Sequence, residues 1–278
     1  MTSGSLLRKE LTPLASRLRE LVGYELSPEK DYLLETRLTP VAKRFGLNDV
    51  ATLLRALAGD PDPRLAQAVA EAMATHETSF FRDPPVFEAL RKVVLPQLFE
   101  RVSGRKVRIW SAAASTGQEA ISTALLCLEL LGSRAVERVE ILATDFASEP
   151  LARIRAGVYS SFEVQRGMPS ALLVRYFEPA GRDFRVKPMV AALIRCERHN
   201  LLDSPRHFGC FDLILLRNVL IYMDPPTRQR VLAQIHGAIF PDGWLVVGAT
   251  ETLTGLCDLF RPDGLGHVFY RPVCGRGS

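Results

Sequence analysis

The stretch Val107-Arg108-Ile109-Trp110-Ser111-Ala112-Ala113-Ala114-Ser115-Thr116-Gly117-Gln118-Glu119 changes character twice. It begins as a β-rich run, passes through a series of tiny side chains, and enters an amphipathic helical pattern that continues from Glu119 to Leu131. Similar short apolar runs follow at Val139 to Ala143, Phe211 to Leu215 and Trp244 to Val247, with a second helical stretch from Thr227 to Phe240. Buried strands alternating with helices predict an α/β fold with a doubly wound, mostly parallel sheet. Residues 176–197 break this alternation. Phe184 to Lys187 and Leu193 to Glu197 read as short strands around Gly181, which predicts a small antiparallel β insertion there.

Upstream, the chain reads as a small all-α domain. Leu7, Leu11, Leu14, Leu18 and Leu21 form an amphipathic stripe ending at Gly23. Ser27 and Pro28 read as the N-cap and first turn of a helix that stops at Gly46. Two more helices are indicated by Val50 to Leu57 and Leu65 to Met73, separated by the breakers Pro61 and Pro63, and Asp83 reads as an N-cap ahead of Pro84 and Pro85. The expected organisation is a helical domain and linker over 1–83, an α/β domain over 84–273 and a disordered tail over 274–278.

No run approaches the length of a membrane span, because the most apolar one, Leu125 to Leu131, is interrupted by Glu129. The N-terminal pattern contains Arg8, Lys9 and Glu10 and lacks the apolar centre of a secretory signal. A cytoplasmic protein is expected, with a monomer as the default. Cys127, Cys196, Cys210, Cys257 and Cys274 are scattered without paired spacing, and the histidines are dispersed, so neither a disulfide framework nor a metal site is expected. The net charge of +4 suits an acidic partner without requiring one. Arg37, Lys43 and Arg44 fall on one predicted helix and could face an acidic protein surface or nucleic acid, or simply solvent.

In doubly wound sheets ligands bind beyond the carboxyl ends of the strands. The loop from Trp110 to Glu119 lies at such a place. With only one glycine it matches neither the dinucleotide fingerprint nor a P-loop, both of which serve phosphates. A nucleoside without phosphates fits better, since Asp145, ending the strand Ile141-Leu142-Ala143-Thr144-Asp145, can accept hydrogen bonds from both ribose hydroxyls. S-adenosylmethionine is such a ligand. The alternative is that Asp145 only caps the helix beginning near Ser148.

Six ordered segments carry a more specific resemblance: His76-Glu77-Thr78-Ser79-Phe80-Phe81-Arg82-Asp83, the Trp110 to Glu119 loop, Ala143-Thr144-Asp145, Asn200-Leu201-Leu202, Phe211 to Tyr222, and Gly248-Ala249-Thr250-Glu251. In this order they resemble the chemotaxis receptor methyltransferases, the CheR family, from about Ser27 to Arg271. The resemblance implies a class I S-adenosylmethionine methyltransferase fold and cofactor contacts from His76, Thr78, Arg82, Ala113, Glu119, Asp145, Phe146, Asn200, Leu201, Arg217 and Asn218. Thr78 and Arg82 would approach the methionine end, Glu119 the ammonium, Asp145 the ribose, and Asn200 and Leu201 the adenine. Arg217 and Asn218 would line the pocket beneath the methyl donor. Arg82 and Tyr222 are the catalytic candidates, Arg82 orienting the substrate carboxylate and Tyr222 standing near the reacting centre. Phe80 and Phe81 read as core anchors. His76 stands where an asparagine is common, and Gln118 replaces the first acid of a frequent Gly-Glu-Glu.

The activity implied is methyl transfer to glutamate side chains on the cytoplasmic helical bundle of chemotaxis receptors, with Arg37, Lys43 and Arg44 meeting that acidic surface. The tight turn Ala180-Gly181-Arg182-Asp183 replaces a longer glycine-rich loop of some relatives and puts docking of a receptor's tether peptide in doubt. Two other readings compete. Asp224-Pro225-Pro226 suggests a nucleic-acid amino-methyltransferase, but Thr227 follows where an aromatic residue is usual, and the triplet reads more simply as a helix start. A non-catalytic signalling adaptor would keep the fold and even the cofactor.

Overall fold

The computed structural model describes residues 14–25, 31–59 and 61–273, and side chains throughout these except at 31–33. The chain divides into two compact units. One comprises residues up to Thr75 together with Tyr222–Arg228; the other comprises His76–Ile221 and the chain from Gln229. The segment His76 to Asp83, expected in the linker, therefore clusters with the α/β unit.

In the first unit, helices span 14–22, Asp31–Arg44, Val50–Ala58 and Pro63–Met73. Leu14 and Leu18 of the expected stripe are buried, whereas Leu7, Leu11, Ser27 and Pro28 lie outside the described residues. Leu34, Leu38, Leu53, Leu54, Leu57 and Val69 complete the core at helical spacing. Asp49 and Asp62 cap their helices, accepting from the Thr52 and Arg64 amides at 2.7 and 2.8 Å. Arg37 is committed to this packing: its Nη1 donates to the carbonyls of Met73 and Ala74 at 2.7 and 3.2 Å, filling acceptors left at a helix end. Of the three basic residues expected to meet a partner, Lys43 and Arg44 are exposed and Arg37 is part of the scaffold. In the returning segment, Met223 forms an antiparallel bridge with Tyr24, the rings of Tyr24 and Tyr222 lie 5.6 Å apart, and Asp224 pairs with Arg19 at 3.2 Å. Asp224 also accepts from the Thr227 amide at 2.9 Å, so Asp224-Pro225-Pro226 is the start of the helix Pro225–His236.

The second unit is built on a seven-stranded sheet. Its strands in chain order are β1 (Val107–Ala112), β2 (Val139–Asp145), then, after an insertion of β3 (Val158–Ser160), β4 (Phe177–Ala180) and β5 (Asp183–Val186), β6 (Ile194–Arg198), β7 (Phe211–Leu216), β8 (Ile239–Val247), β9 (Phe260–Pro262) and β10 (Phe269–Pro272). The large sheet has the order β6-β2-β1-β7-β8-β10-β9. The first five strands in that order run parallel, and β10 is antiparallel to β8 and β9. The four strands read from the sequence are all present. Trp110 is wholly buried on β1 because its indole N–H donates to Thr144 Oγ1 on β2 at 2.9 Å, which removes the cost of an orphaned donor. At the amino ends of these strands, fully buried Asp212 holds Arg105 through two hydrogen bonds of 2.7 Å and accepts from the Arg108 amide at 2.9 Å. Among the described residues no helix is long and apolar enough to cross a membrane.

The insertion differs from its sequence reading. The small sheet is antiparallel, as expected, but its order is β3-β5-β4, so it begins at Val158 and ends at Val186. Leu193 to Glu197, expected in this hairpin, instead supply β6, which pairs in parallel with β2 from Ile141↔Ile194 to Asp145↔Arg198. The crossover from β2 to β6 already contains the helix Ser148–Ala156, so no further full helix was needed before β6. The second surprise is a π turn over Leu90–Val94 joining the helices Pro84–Ala89 and Leu95–Arg101.

The helix Gln118–Leu131 packs on β2 and β6 and buries every residue from Ala120 to Leu128, which leaves only a weak amphipathic pattern. Gly117 precedes it at φ 93°, where a Cβ would stand 2.6 Å from Ile154 Cγ1. Both the backbone and the space exclude a side chain. Gly117→Ala is expected to destabilise the protein by about 1–3 kcal/mol, measurable as a lower denaturant midpoint with an unchanged slope.

Candidate functional site

Non-glycine residues rarely adopt positive φ, and the cost persists only where surrounding structure enforces it. Among the described residues five do so: Phe81, Asp83, Ala113, Ser115 and Asn218, at φ values of 49°, 61°, 59°, 51° and 57°. They occupy three segments: 76–83, the loop after β1, and the first residues after β7. β1 and β7 are parallel neighbours, so their following loops emerge side by side.

Hydrogen bonds join the three segments. Ser115 Oγ donates to the His76 carbonyl at 3.0 Å, and the Phe81 amide donates to Ser122 Oγ at 3.0 Å. Arg217, whose side chain is 2% exposed, donates from Nη1 to Glu119 Oε2 at 2.9 Å and from Nη2 to the Arg82 carbonyl and Asp83 Oδ2 at 2.6 and 2.8 Å. Ser111 Oγ donates to the other Glu119 oxygen at 2.7 Å. Asp83 occupies the N-cap position of the following helix, as expected, but makes no side-chain cap, because its carboxylate is held by Arg217. Both oxygens of Glu119 likewise carry protein partners. Arg82 donates to the Glu77 carbonyl at 3.0 Å. Phe80 is the anchor of this segment, packed edge-on against Tyr159 and Phe177, while Phe81 is only half-buried.

Asp145, at the end of β2, is 5% exposed. One oxygen accepts from the Ser115 amide at 2.9 Å and the other from the Ala147 amide at 3.0 Å. Burial raises its carboxyl above the ordinary range, while the amides of Ala147, Ser115 and Phe146 and the charge of His76 oppose that shift. Asp145 therefore organises the loop after β1 and does not only cap a helix. The His199 amide donates to its carbonyl at 3.0 Å, placing Asn200 and Leu201 just beyond; Asn200 Oδ1 accepts from Leu202 N at 3.1 Å and Leu201 is buried. Phe146 and Ala113 are half-buried beside these groups in the chain. His76 and Thr78 line a cleft of ≈ 270 Å³ with Thr116, Gln118, Arg153 and Glu163. Here Gln118 accepts from Thr116 Oγ1 at 2.8 Å and points its amide at Glu163, so an acid from the insertion stands near the position where the chain lacks one. Tyr222 ends a 3-10 turn over Leu220–Tyr222 and belongs to the first compact unit.

Ser111, Ser115 and Glu251 were not singled out from the sequence, and Asp83 was read only as a helix cap, although all lie inside the six quoted segments. Glu251, 6% exposed, accepts from the Gly248 and Asn218 amides at 2.6 and 2.9 Å and from the Ile221 amide at 3.2 Å.

The donor set suits a phosphate-free nucleoside with an amino-acid tail. The loop from Ala113 to Gly117 takes left-handed backbone at Ala113, Ser115 and Gly117 without a phosphate-binding glycine pattern, the Asp145 carboxylate stands beside it, and buried Arg217 Nε has no partner among the described residues. Fold and donor set together define a methyltransferase that uses S-adenosylmethionine. The comparisons with known proteins make this specific. Residues 76–267 match the family described as CheR methyltransferase, SAM binding domain, and residues 9–74 match CheR methyltransferase, all-alpha domain. A chemotaxis protein methyltransferase of Vibrio parahaemolyticus is 36% identical over 264 residues, covering 94% of this chain and 95% of the relative. Chemotaxis protein methyltransferase 1 of Vibrio cholerae gives the same identity and coverage. Chemotaxis protein methyltransferase Cher2 of Pseudomonas putida is 34% identical, covering 88% of this chain and 90% of its own. The chain belongs to the CheR methyltransferase family.

Proposed function

We propose that this protein methylates glutamate side chains on the cytoplasmic helical bundle of chemotaxis receptors, acting in the cytoplasm. The observation that supports it best is the Arg217 network, which draws His76 to Asp83 onto the loops after β1 and β7 and leaves Arg82 beside the proposed cofactor site. Asp145, Asn200, Leu201, Phe146 and Ala113 would hold the nucleoside; His76, Thr78, Arg82 and Glu119 the amino-acid end; Asn218 the region of the methyl donor. When bound, S-adenosylmethionine supplies an electrophilic methyl group, which a substrate carboxylate oxygen accepts while S-adenosylhomocysteine leaves.

A free glutamate has a pKa of about 4.3 and is already ionised at neutral pH, so no residue has to remove a proton. The chain's task is to hold the carboxylate in line and to exclude water, and orientation of this kind is worth at most about 7–11 kcal/mol. Arg82 would present a two-pronged donor to the substrate carboxylate, and Tyr222 is a catalytic candidate on the family resemblance alone. The test is transfer of labelled methyl to cytoplasmic fragments of several receptors, followed by alkaline release of methanol. Base-labile label on glutamates supports the proposal. Cofactor binding without transfer to any fragment favours the adaptor reading instead.

Lys43 and Arg44 carry the proposed docking charge. Lys43→Glu with Arg44→Glu is expected to raise KM for a receptor fragment roughly five-fold at low salt, on the order of 1 kcal/mol, with a smaller effect at high salt. Cofactor affinity should stay unchanged. Titration of initial rates against fragment concentration at two salt concentrations checks both statements.

A further inference from the structure

We infer that Glu251 is a positioning residue for the methionine half of the cofactor, acting through Asn218; this rests on the proposed placement of the cofactor. Its loop follows β8, and Asn218 follows β7; these strands are parallel neighbours paired up to Leu216↔Val247, so the two loops leave the sheet together. Glu251 closes its own loop by accepting from Gly248 N and crosses to the other by accepting from Asn218 N and Ile221 N. Its amide donates back to the Gly248 carbonyl at 2.9 Å. A carboxylate this buried requires such partners, and here all three are main-chain N–H groups. Its oxygens serve the scaffold, so Glu251 acts neither as a base nor as a ligand.

What the clamp fixes is the left-handed backbone of Asn218, at φ 57°, adjoining Arg217. The clamp has no slack. A Cβ on Gly248 would stand 2.7 Å from Asn218 Nδ2, 2.7 Å from Glu251 Oε2 and 2.8 Å from Asn218 N. Two unlike substitutions therefore disturb the same point. Glu251→Gln keeps the shape but turns one acceptor into a donor facing an N–H, and Gly248→Ala keeps the carboxylate but pushes Asn218 away.

The experiment compares binding of S-adenosylhomocysteine and of adenosine, which lacks the amino-acid half, to the full-length protein and both variants by calorimetry, with thermal unfolding in parallel. Each variant is expected to weaken S-adenosylhomocysteine by roughly ten-fold or more and to leave adenosine within about two-fold, because Asp145 and Asn200 are untouched. Equal weakening of both ligands, or of neither, would overturn the inference and leave Glu251 a purely structural group. Asp145→Ala serves as the control: adenosine affinity unaffected by that change would overturn the placement of the nucleoside itself, and this inference with it.

Discussion

Arg217→Ala is expected to destabilise the protein by about 3–5 kcal/mol, the usual cost of leaving a buried charge without its partner. The guanidinium neutralises Glu119, whose side chain is 14% exposed, and holds Asp83 and the Arg82 carbonyl in the same grip. Without it, Glu119 keeps only the Ser111 hydroxyl. That loss is a large share of a stability that for most domains totals about 5–15 kcal/mol. Arg217→Lys should recover part of it, because an ammonium can neutralise Glu119 but cannot span three acceptors with a planar fork. Urea denaturation of the three proteins gives the ordering wild type, Lys, Ala. An alanine variant within about 0.5 kcal/mol of wild type would show that the network contributes little.

Asp145→Ala should cost roughly ten- to hundred-fold in cofactor affinity, the equivalent of about 1.5–3 kcal/mol for hydrogen bonds to a charged group. The substitution removes the proposed ribose acceptor and frees the Ser115 amide, and through it the left-handed loop after β1. Acidity provides a second signature. Burial raises the Asp145 carboxyl, so cofactor affinity should begin to fall at a pH above the ordinary aspartate pKa of about 3.9 as the acceptor protonates. Asp145→Asn should lack that inflection. In the free protein the same shift has the opposite sense for folding. The contribution of Asp145 to stability is fully present below its unfolded pKa and is lost as pH rises through the raised folded value. Calorimetric titrations across the acid range, paired with unfolding curves, separate the two effects.

The parts of the fold that follow from periodicity were open to reading from the sequence. Val107 to Trp110, Val139 to Ala143, Phe211 to Leu215 and Trp244 to Val247 are largely buried on both faces and appear as β-rich runs broken only by Arg108, Glu140 and Asp212. Leu193 to Glu197 was read as a strand, yet its sheet was misjudged, because partner choice is a long-range property: β6 pairs with residues some fifty positions upstream. Asp83 before Pro84 has the local signature of an N-cap and takes that position, but its carboxylate goes to the buried guanidinium of Arg217 instead of to the helix. Arg37 shows the same limit, since its charge suggested a surface role and its hydrogen bonds serve a helix end. The motif segments indicated where the proposed site residues lie. They did not indicate that five strained backbone positions would gather among them, nor that Glu251 would spend its charge on main-chain amides.

The loops after β1, β2 and β7, with residues 76–83, are proposed to form one cofactor site. The most direct test of this proposal is a crystal structure of the complex with S-adenosylhomocysteine. Ribose hydroxyls are expected within hydrogen-bond distance of the Asp145 carboxylate, the adenine beside Asn200 and Leu201, and the amino-acid end near Arg82 and Glu119. A ligand bound elsewhere, such as in the ≈ 450 Å³ cavity lined by Ile121, Ile154, Val186 and Cys196, with Asp145 still bonded only to Ser115 and Ala147, would contradict it.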